Sequence, residues 1–197
     1  MTHFGRLIIM SGPSGVGKST IRNELLQRSP VPLKRSISAT TRQPRRGERN
    51  GVDYHFMTRD AFFKEIAANG FLEYAEVFGK GIYYGTLRRE VMNDLSQGVW
   101  VLLEIDVDGA KQIMQHFPDV ISIFILPESL NILQERLRGR ATESEEVIQH
   151  RLQRAEYEIS QAKLYQYKIV NITVQDAVAK FCEILQKENL KHEGKND

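Results

Sequence analysis

Five short apolar runs alternate along the chain with longer segments whose apolar residues recur at every third or fourth position. The runs are RLIIM at 6–10, LKRSIS at 33–38, VWVLLEI at 99–105, VISIFIL at 120–126 and KIVNI at 168–172. Runs that are apolar on both faces indicate parallel strands buried beneath helices. The segments between them, such as GAKQIMQHF, have helical spacing and contain no proline. The pattern predicts an α/β fold of three layers around a parallel five-stranded core sheet.

Residues 36–96 interrupt this alternation. An arginine-rich loop is followed by a short helix predicted at about 59–69 and by two strand-like stretches, FLEYAEVF and IYYGT. Shorter and more polar strands at this point predict a small α+β module inserted between the second and third core strands. The pattern therefore divides a single domain, 1–197, into a core (1–35, 97–135 and 155–190), an insert (about 36–96) and a helical lid (about 136–154).

Composition narrows the class of protein. The chain has 197 residues, of which 41% are hydrophobic, and this is enough to fill the core of one domain. Its 27 basic and 25 acidic residues leave a net charge of only +2, so we expect no nucleic-acid partner. A single cysteine excludes an intrachain disulfide, and no apolar run is long enough for a signal peptide or a membrane span. We expect a cytoplasmic protein without a membrane partner.

The stretch GPSGVGKS at 12–19 satisfies the pattern G-x-x-x-x-G-K-[ST], directly between a predicted strand and a predicted helix. Its glycines allow backbone N–H groups to surround phosphate oxygens, and the helix N-terminus adds partial positive charge. Lys18 is expected to reach the β- and γ-phosphates and Ser19 to reach Mg²⁺, which suits ATP. A chance match in a glycine-rich turn is the alternative. The predicted ATP-binding residues here are Gly12, Pro13, Ser14, Gly15, Val16, Gly17, Lys18, Ser19 and Thr20.

The segment TTRQPRRGERNGVDYHF at 40–56 is the candidate for a second anion site. A charge run of this kind is by default a solvated turn. A kinase for a small acceptor, however, needs an anion site facing the phosphate loop, and guanidinium forks bind phosphate oxygens bidentately. Arg42 and Arg45 are therefore predicted to hold an acceptor phosphate, with hydroxyl groups from Tyr54 and Tyr84. Ordinary packing is the alternative for each tyrosine. We find no NKxD motif of a switch GTPase and no long second ATPase domain.

A second arginine set lies in and just before LRGRATESEEVIQHRL at 137–152. Arg136 and Arg140 are four residues apart, and Arg151 lies beyond a break. The pattern T-x-x-E at 142–145 is typical of a capping box and predicts a second helix that starts near Thr142 or Ser144. We predict a mobile lid; exposed helix surface with glutamate partners is the alternative.

In order, the motifs GPSGVGKST, SISATTRQPRRGERNGVDYHF, FLEYAEVF, YYGT, LLEIDVDGA, RLRGRATESEE and KIVN resemble the guanylate kinase family, from about residue 6 to residue 188. The resemblance implies an enzyme of purine nucleotide metabolism that uses ATP and Mg²⁺ to convert GMP to GDP, with dGMP as an expected second acceptor. It implies phosphate contacts from Arg42, Arg45, Tyr54 and Tyr84, guanine contacts from Ser38, Glu73 and Thr86, lid contacts from Arg136, Arg140 and Arg151, a metal or acceptor contact from Asp106, and an adenine-side contact from Asn171.

Three features depart from the family pattern: the longer tract before YYGT, Asp108 where glutamine is common, and Ile172 after Asn171 in place of an acidic residue. Chemistry supports guanine, because one carboxylate such as Glu73 can accept from both N1–H and the exocyclic amine, whereas adenine leaves it unpaired. A kinase of another small phosphorylated molecule, a non-catalytic interaction module and a nucleic-acid-binding ATPase are the alternatives. A module would have lost Lys18 or the loop glycines. A homo-oligomer is left open.

Overall fold

The computed structural model of the protein describes residues 4–77, 81–138 and 145–194. In chain order, its strands are β1 Leu7–Ser11, β2 Leu33–Arg35, β3 Ser38–Thr40, β4 His55–Phe56, β5 Phe71–Val77, β6 Ile82–Leu87, β7 Trp100–Glu104, β8 Ile121–Pro127 and β9 Tyr167–Asn171. Its helices are α1 Lys18–Arg28, α2 Arg59–Ala67, α3 Arg88–Ser96, α4 Val107–His116, α5 Leu130–Arg138, α6 Glu145–Ser160 and α7 Val174–Glu193, with a short 3₁₀ helix at Gln161–Leu164.

The central sheet has five parallel strands in the order β2-β7-β1-β8-β9. Alternate residues of β1 point to opposite faces, as the two-residue period of a strand requires. Ile8 and Met10 pack in the cluster that contains Ile21 of α1 and Phe181 of α7. On the other face, Ile9 packs in the cluster that contains buried residues of α3 and α4. The predicted three layers and five parallel core strands are confirmed.

A second sheet, in the order β4-β3-β6-β5, lies in the sequence between core strands β2 and β7. Its apolar core contains Ala39, Phe62, Phe71 and Leu87. The apolar run predicted as one strand at 33–38 is in fact divided between the two sheets. Ser36 still donates its backbone N–H to Leu102 of the core at 3.0 Å, but Ser38 already pairs with Thr86 of β6. The chain therefore passes from core to insert between these two serines.

One helix, α3, was not expected from the sequence. Helix α3 follows β6 directly, and it buries only Val91 and Leu95, so its apolar signal is weak. Helix α7 continues to Glu193, through the polar segment ENLKHE at 188–193. Near its end, the buried Glu188 accepts a 2.8 Å hydrogen bond from Arg6 and a 2.6 Å hydrogen bond from Tyr167, which ties the helix to β1 and β9. No helix in the described part of the chain is both long and apolar enough to cross a bilayer.

Candidate active site

The phosphate-loop motif lies between β1 and α1, at the carboxyl end of a parallel strand, which is where ligands bind in open α/β sheets. Two of its glycines are required by the geometry. A Cβ at Gly12 would lie 2.4 Å from the carbonyl oxygen of Ile125 in β8. Gly17 has a φ of 99°, and a Cβ there would lie 2.8 Å from Asn171 Nδ2. The loop is therefore held tightly against the ends of two neighbouring strands.

Lys18 is turned into this loop. Its Nζ donates to the carbonyl oxygens of Gly12 at 2.5 Å and Pro13 at 3.1 Å. Burial lowers the pKa of Lys18, although the carboxylates of Glu104, Glu158 and Asp106 act in the opposite direction. A partly buried ammonium group, surrounded by a loop that is rich in backbone N–H groups, strongly attracts phosphate oxygens.

Asn171, at the end of β9, supports the loop from the other side. Its Nδ2 donates to the carbonyl oxygen of Val16 at 2.7 Å. Its Oδ1 is buried, and no group in the described residues donates to it. The predicted adenine-side residue thus lies against the phosphate loop, and its Oδ1 accepts no hydrogen bond from the described residues.

Ser19 is the second residue of α1. It faces the carboxylate of Glu104, a residue that was not anticipated from the sequence. Ser19 Oγ donates to Glu104 Oε1 at 3.4 Å, and Arg22 Nη1 lies 2.6 Å from Glu104 Oε2. Asp106, two residues further on, caps α4 by accepting from the backbone N–H groups of Asp108 and Gly109. A signal for Glu104 was present in the sequence, since it is the charged residue that ends the apolar run WVLL.

The Ser19 hydroxyl and the Glu104 carboxylate are suited to binding Mg²⁺. No cluster of three or more histidine, cysteine or carboxylate side chains suited to a metal occurs within residues 4–77, 81–138 and 145–194. Mg²⁺ in nucleotide sites takes one or two protein ligands and completes its shell with phosphate oxygens and water. One hydroxyl and one carboxylate, side by side at the edge of the phosphate loop, meet that requirement.

In the insert, the predicted phosphate residues Arg42, Tyr54 and Tyr84 lie together. Arg42 Nε donates to the Tyr84 hydroxyl at 3.1 Å, and its guanidinium carbon lies 5.2 Å from the centre of the Tyr54 ring. Glu48, not anticipated from the sequence, accepts from both terminal nitrogens of Arg42 at 2.8 and 3.0 Å. The hydrogen bonds to Glu48 raise the pKa of Arg42. The side chain of Arg45, in the same loop as Arg42, is exposed.

The three predicted guanine-reading residues occupy one level of the second sheet. Ser38 of β3 and Glu73 of β5 both pair with Thr86 of the intervening strand β6. Thr86 Oγ1 donates to Glu73 Oε1 at 2.6 Å. Glu73 is only 6% exposed, and burial raises its pKa to about 7 despite the hydrogen bond from Thr86. Its other oxygen faces α4, where a Cβ at Gly109 would lie 2.6 Å away.

A polar cavity of about 250 Å³ lies between residues beside the phosphate loop and residues of the insert. It is lined by Ser19, Arg22, Arg35, Ser36, Ser38, Glu48, Asp53, Tyr54 and Glu104, which come from both the core and the insert. A larger, mostly apolar cavity of about 390 Å³ lies near the amino ends of the core strands, beside Leu7 and Val120, and contains none of the motif residues. We place the site in the smaller cavity because its lining includes the predicted site residues Ser19, Ser38 and Tyr54.

The predicted lid arginines are only partly described. Arg136 is exposed on α5 and Arg151 is partly buried on α6, while Arg140 lies outside the described residues, as do Thr142 and Ser144. An arginine that was not anticipated, Arg154 of α6, contacts Asp108 at 2.8 Å and lies 3.8 Å from Asp106. Helix α6 is thereby attached to the start of α4.

A sequence model described as guanylate kinase matches residues 4–188. The chain belongs to the guanylate kinase family. It is 46% identical over 185 residues to a guanylate kinase of Rhodopirellula baltica, covering 93% of this chain and 88% of that one. It is 47% identical to a guanylate kinase of Mycoplasma capricolum subsp. capricolum over 94% of its own length, but it spans only 62% of that relative.

A solved structure supports the same placement. The crystal structure of guanylate kinase from Anaplasma phagocytophilum matches with a TM-score of 0.77 and 34% identity, covering 95% of this chain and 87% of that chain. The resemblance drawn from the motifs and the predicted phosphate-loop α/β fold are therefore confirmed.

Proposed function

We propose that the protein transfers the γ-phosphoryl group of ATP to GMP and forms ADP and GDP, the activity of a nucleoside monophosphate kinase. The observation that carries the proposal is the pairing of Glu73, Thr86 and Ser38 on three adjacent strands beside a cleft that begins at the phosphate loop. A buried carboxylate such as that of Glu73 is the acceptor that the adjacent donors of guanine require.

The donor side consists of the phosphate loop from Gly12 to Thr20. Its backbone N–H groups and Lys18 bind the ATP phosphates, and Ser19 holds Mg²⁺ with Glu104 or, as predicted from the family, Asp106 nearby. When bound there, Mg²⁺ would supply positive charge that offsets the charge developing between the β- and γ-phosphates. Asn171 contacts the adenine side through Oδ1, which now lacks a donor.

The acceptor side consists of the insert, which we assign to residues 36–96. Arg42 and Arg45 bind the GMP phosphate, Tyr54 and Tyr84 donate hydroxyl hydrogen bonds to it, and Ser38, Glu73 and Thr86 read the base. The Asp106 carboxylate acts on both sides of the site, since its charge, secondary to burial, acts to raise the pKa of Glu73 and that of Lys18. The 2′-hydroxyl of the ribose has no assigned partner, so dGMP is a second expected acceptor.

The reaction requires no protein nucleophile. A GMP phosphate oxygen, ionised near neutral pH because its second pKa is about 6, attacks the γ-phosphorus in line. Lys18 and Arg42 stabilise the negative charge that spreads over the transferred group, together with Arg136, Arg140 and Arg151 of a lid that we assign to residues 136–154. Closure of the lid excludes water, so the phosphoryl group passes to GMP and is not hydrolysed.

Formation of ADP in a coupled assay, with GMP, dGMP, AMP, UMP and CMP offered separately, tests the proposed function. We expect rapid ADP formation with GMP and dGMP and at least about 10⁴-fold lower kcat/KM with AMP, because adenine would leave Glu73 unpaired. Equal rates with all acceptors, or ADP formation that needs no acceptor, would contradict the assignment.

A further inference from the structure

Glu48 contacts both arginines of the proposed phosphate clamp, which we define as Arg42, Arg45, Tyr54 and Tyr84. Its two oxygens accept from the two terminal nitrogens of Arg42, at 2.8 and 3.0 Å, in the fork-to-fork geometry of a carboxylate–guanidinium pair. The oxygen nearer Nη1 also accepts from the backbone N–H of Arg45 at 2.7 Å. A single carboxylate therefore joins the side chain of one predicted phosphate ligand to the backbone of the other.

The contacts of Arg42 show which edge of the guanidinium group remains for a ligand. Arginine has five N–H donors. Glu48 engages one donor on Nη1 and one on Nη2, and the carbonyl oxygen of Gln43 accepts from Nη1 at 2.9 Å. Nε donates to the hydroxyl of Tyr84, itself a predicted phosphate ligand. The second donor of Nη2 lies on the same edge as Nε, so this is the edge available to an acceptor phosphate.

Neighbouring rings also restrict the guanidinium plane. The guanidinium carbon of Arg42 lies 5.2 Å from the centre of the Tyr54 ring and 5.7 Å from that of Phe56. These contacts limit tilting of the group but leave it able to rotate within its own plane. Hydrogen bonds set this rotation, and the fork to Glu48 supplies two of the four that the Arg42 side chain makes with described residues.

We propose that Glu48 is a positioning residue for GMP. It holds the Nη1–Nη2 end of the Arg42 guanidinium group so that the Nε–Nη2 edge faces the acceptor phosphate. It also holds the backbone of Arg45 beside Arg42. This inference rests on the proposed function, because it assigns a role to a residue that acts through the phosphate clamp. In this role Glu48 acts through Arg42 and Arg45 and needs no contact of its own with GMP.

The opposite relation, in which the Glu48 carboxylate occupies Arg42 and competes with the phosphate, conflicts with how Glu48 is held. Its backbone N–H donates to the carbonyl oxygen of Arg45 at 3.0 Å, closing a turn in which Gly47 has a φ of 89°. The side chain also accepts from the Arg45 backbone. A competing carboxylate would have to leave this turn each time GMP binds, whereas a positioning carboxylate stays in place. The hydrogen bonds from Arg42 and Arg45 hold the pKa of Glu48 at about 2, so it remains charged throughout the working range of pH.

The two relations predict opposite changes in the KM for GMP. In Glu48→Gln, the amide keeps one acceptor but directs its N–H₂ at an Arg42 donor, so the fork is lost. We expect the KM for GMP to rise about tenfold, the KM for ATP to stay within about twofold, and kcat to fall less than the KM rises. Glu48→Asp keeps the charge on a shorter stem and should recover part of the loss. Glu65→Gln, which removes a carboxylate paired with Arg89 elsewhere in the insert, is the matched control and should change neither KM.

A double variant separates positioning from mere support of the loop. The remaining amide oxygen in Glu48→Gln can still accept from the Arg45 backbone. If the rest of the effect acts through Arg42, then adding Glu48→Gln to Arg42→Lys should raise the KM for GMP by less than about twofold beyond Arg42→Lys alone. Thermal unfolding of each variant checks that the fold is intact, and direct titration with GMP gives the same comparison for any variant whose turnover is too slow to measure.

The outcomes are distinct. A KM for GMP that falls or is unchanged in Glu48→Gln, or effects that multiply in the double variant, would overturn the inference while leaving the GMP kinase activity established. An unaltered chain that does not phosphorylate GMP would overturn the proposed function and the inference together.

Discussion

The donor loop and the acceptor insert both have phosphate as their proposed ligand, yet they are built in opposite ways. The donor loop is a single stretch of backbone, in which glycines at positions 12 and 17 allow the close approach of neighbouring strands and Lys18 is the main side chain. The acceptor insert presents side chains from separate elements, and each of these depends on another side chain: Arg42 on Glu48, and Glu73 on Thr86. A backbone site is complete within one segment, whereas a side-chain site requires the folded insert.

The largest effect should come from the donor loop, where we propose that one cation, Lys18, binds the transferred phosphate. Lys18→Met keeps the apolar stem but removes the charge, and we expect kcat/KM to fall by about 10²–10³ with either substrate varied. Because burial of the ammonium group disfavours its charged form, the substitution should not lower the thermal unfolding temperature.

Lys34→Met is the control for Lys18→Met, since Lys34 is largely exposed and pairs with Asp94 on the surface. It should leave activity unchanged. Near-normal turnover in Lys18→Met would show that the loop does not act on the γ-phosphate.

The next effect should come from base recognition in the insert. Glu73→Gln keeps the size of the side chain but offers guanine one acceptor and one opposing donor, so kcat/KM for GMP should fall about ten- to a hundredfold while the KM for ATP changes little. Inosine monophosphate, which lacks the exocyclic amine, should be a poor acceptor for the native enzyme and should lose less on this substitution. Glu76→Gln, on the same strand, is the control.

Equal losses for GMP and inosine monophosphate in Glu73→Gln would rule out the contact with the amine. Glu73 would then be a structural acid that supports β6 through Thr86.

A smaller effect should follow from altering the clamp without removing its charge. Arg42→Lys retains a cation but loses the fork to Glu48 and the bond from Nε to Tyr84, so the KM for GMP should rise about tenfold with the KM for ATP nearly unchanged. Steady-state kinetics with each substrate varied in turn measures this. Arg59→Lys, in which an arginine over the Phe63 and Tyr83 rings is replaced, controls for general effects on the insert. Equal weakening of ATP and GMP would place Arg42 outside the acceptor site.

The same contrast explains what could be predicted from the sequence. The phosphate loop and the five core strands were predictable because each depends on neighbouring residues: a glycine pattern, or a run that is apolar on both faces. Glu48 and Glu104 were not recognised, because a charged residue in a loop or at a strand end has an ordinary surface role until its partner is known. The pairing of Arg154 with Asp108 joins residues 46 positions apart, and no local pattern indicates it. Helix α3 was missed because it follows β6 without a glycine or proline to separate them.

The smallest effect, a dependence on pH, should belong to the insert alone. The free protein holds the pKa of Glu73 at about 7 because the carboxyl is buried, whereas guanine donors require the ionised form. As pH falls below this value, the protonated fraction grows and GMP binds less well. Between pH 8 and pH 6.5 the ionised fraction falls about fourfold, so the KM for GMP should rise by about the same factor while the KM for ATP stays level.

A measurement of proton release isolates this titration from that of the GMP phosphate, whose second pKa is about 6. Calorimetric titration with GMP at pH 7, in buffers of different ionisation enthalpy, should show about half a proton released per GMP bound, because binding fixes Glu73 in the charged form. In Glu73→Gln this component should vanish, leaving only the small release from the phosphate. Glu73 lies outside the proposed ATP site, so titration with ATP should give the same value in both proteins. Equal proton release on GMP binding with and without the Glu73 carboxyl would mean that guanine does not bind to this residue, and the difference between the two regions would then lie in the phosphate contacts alone.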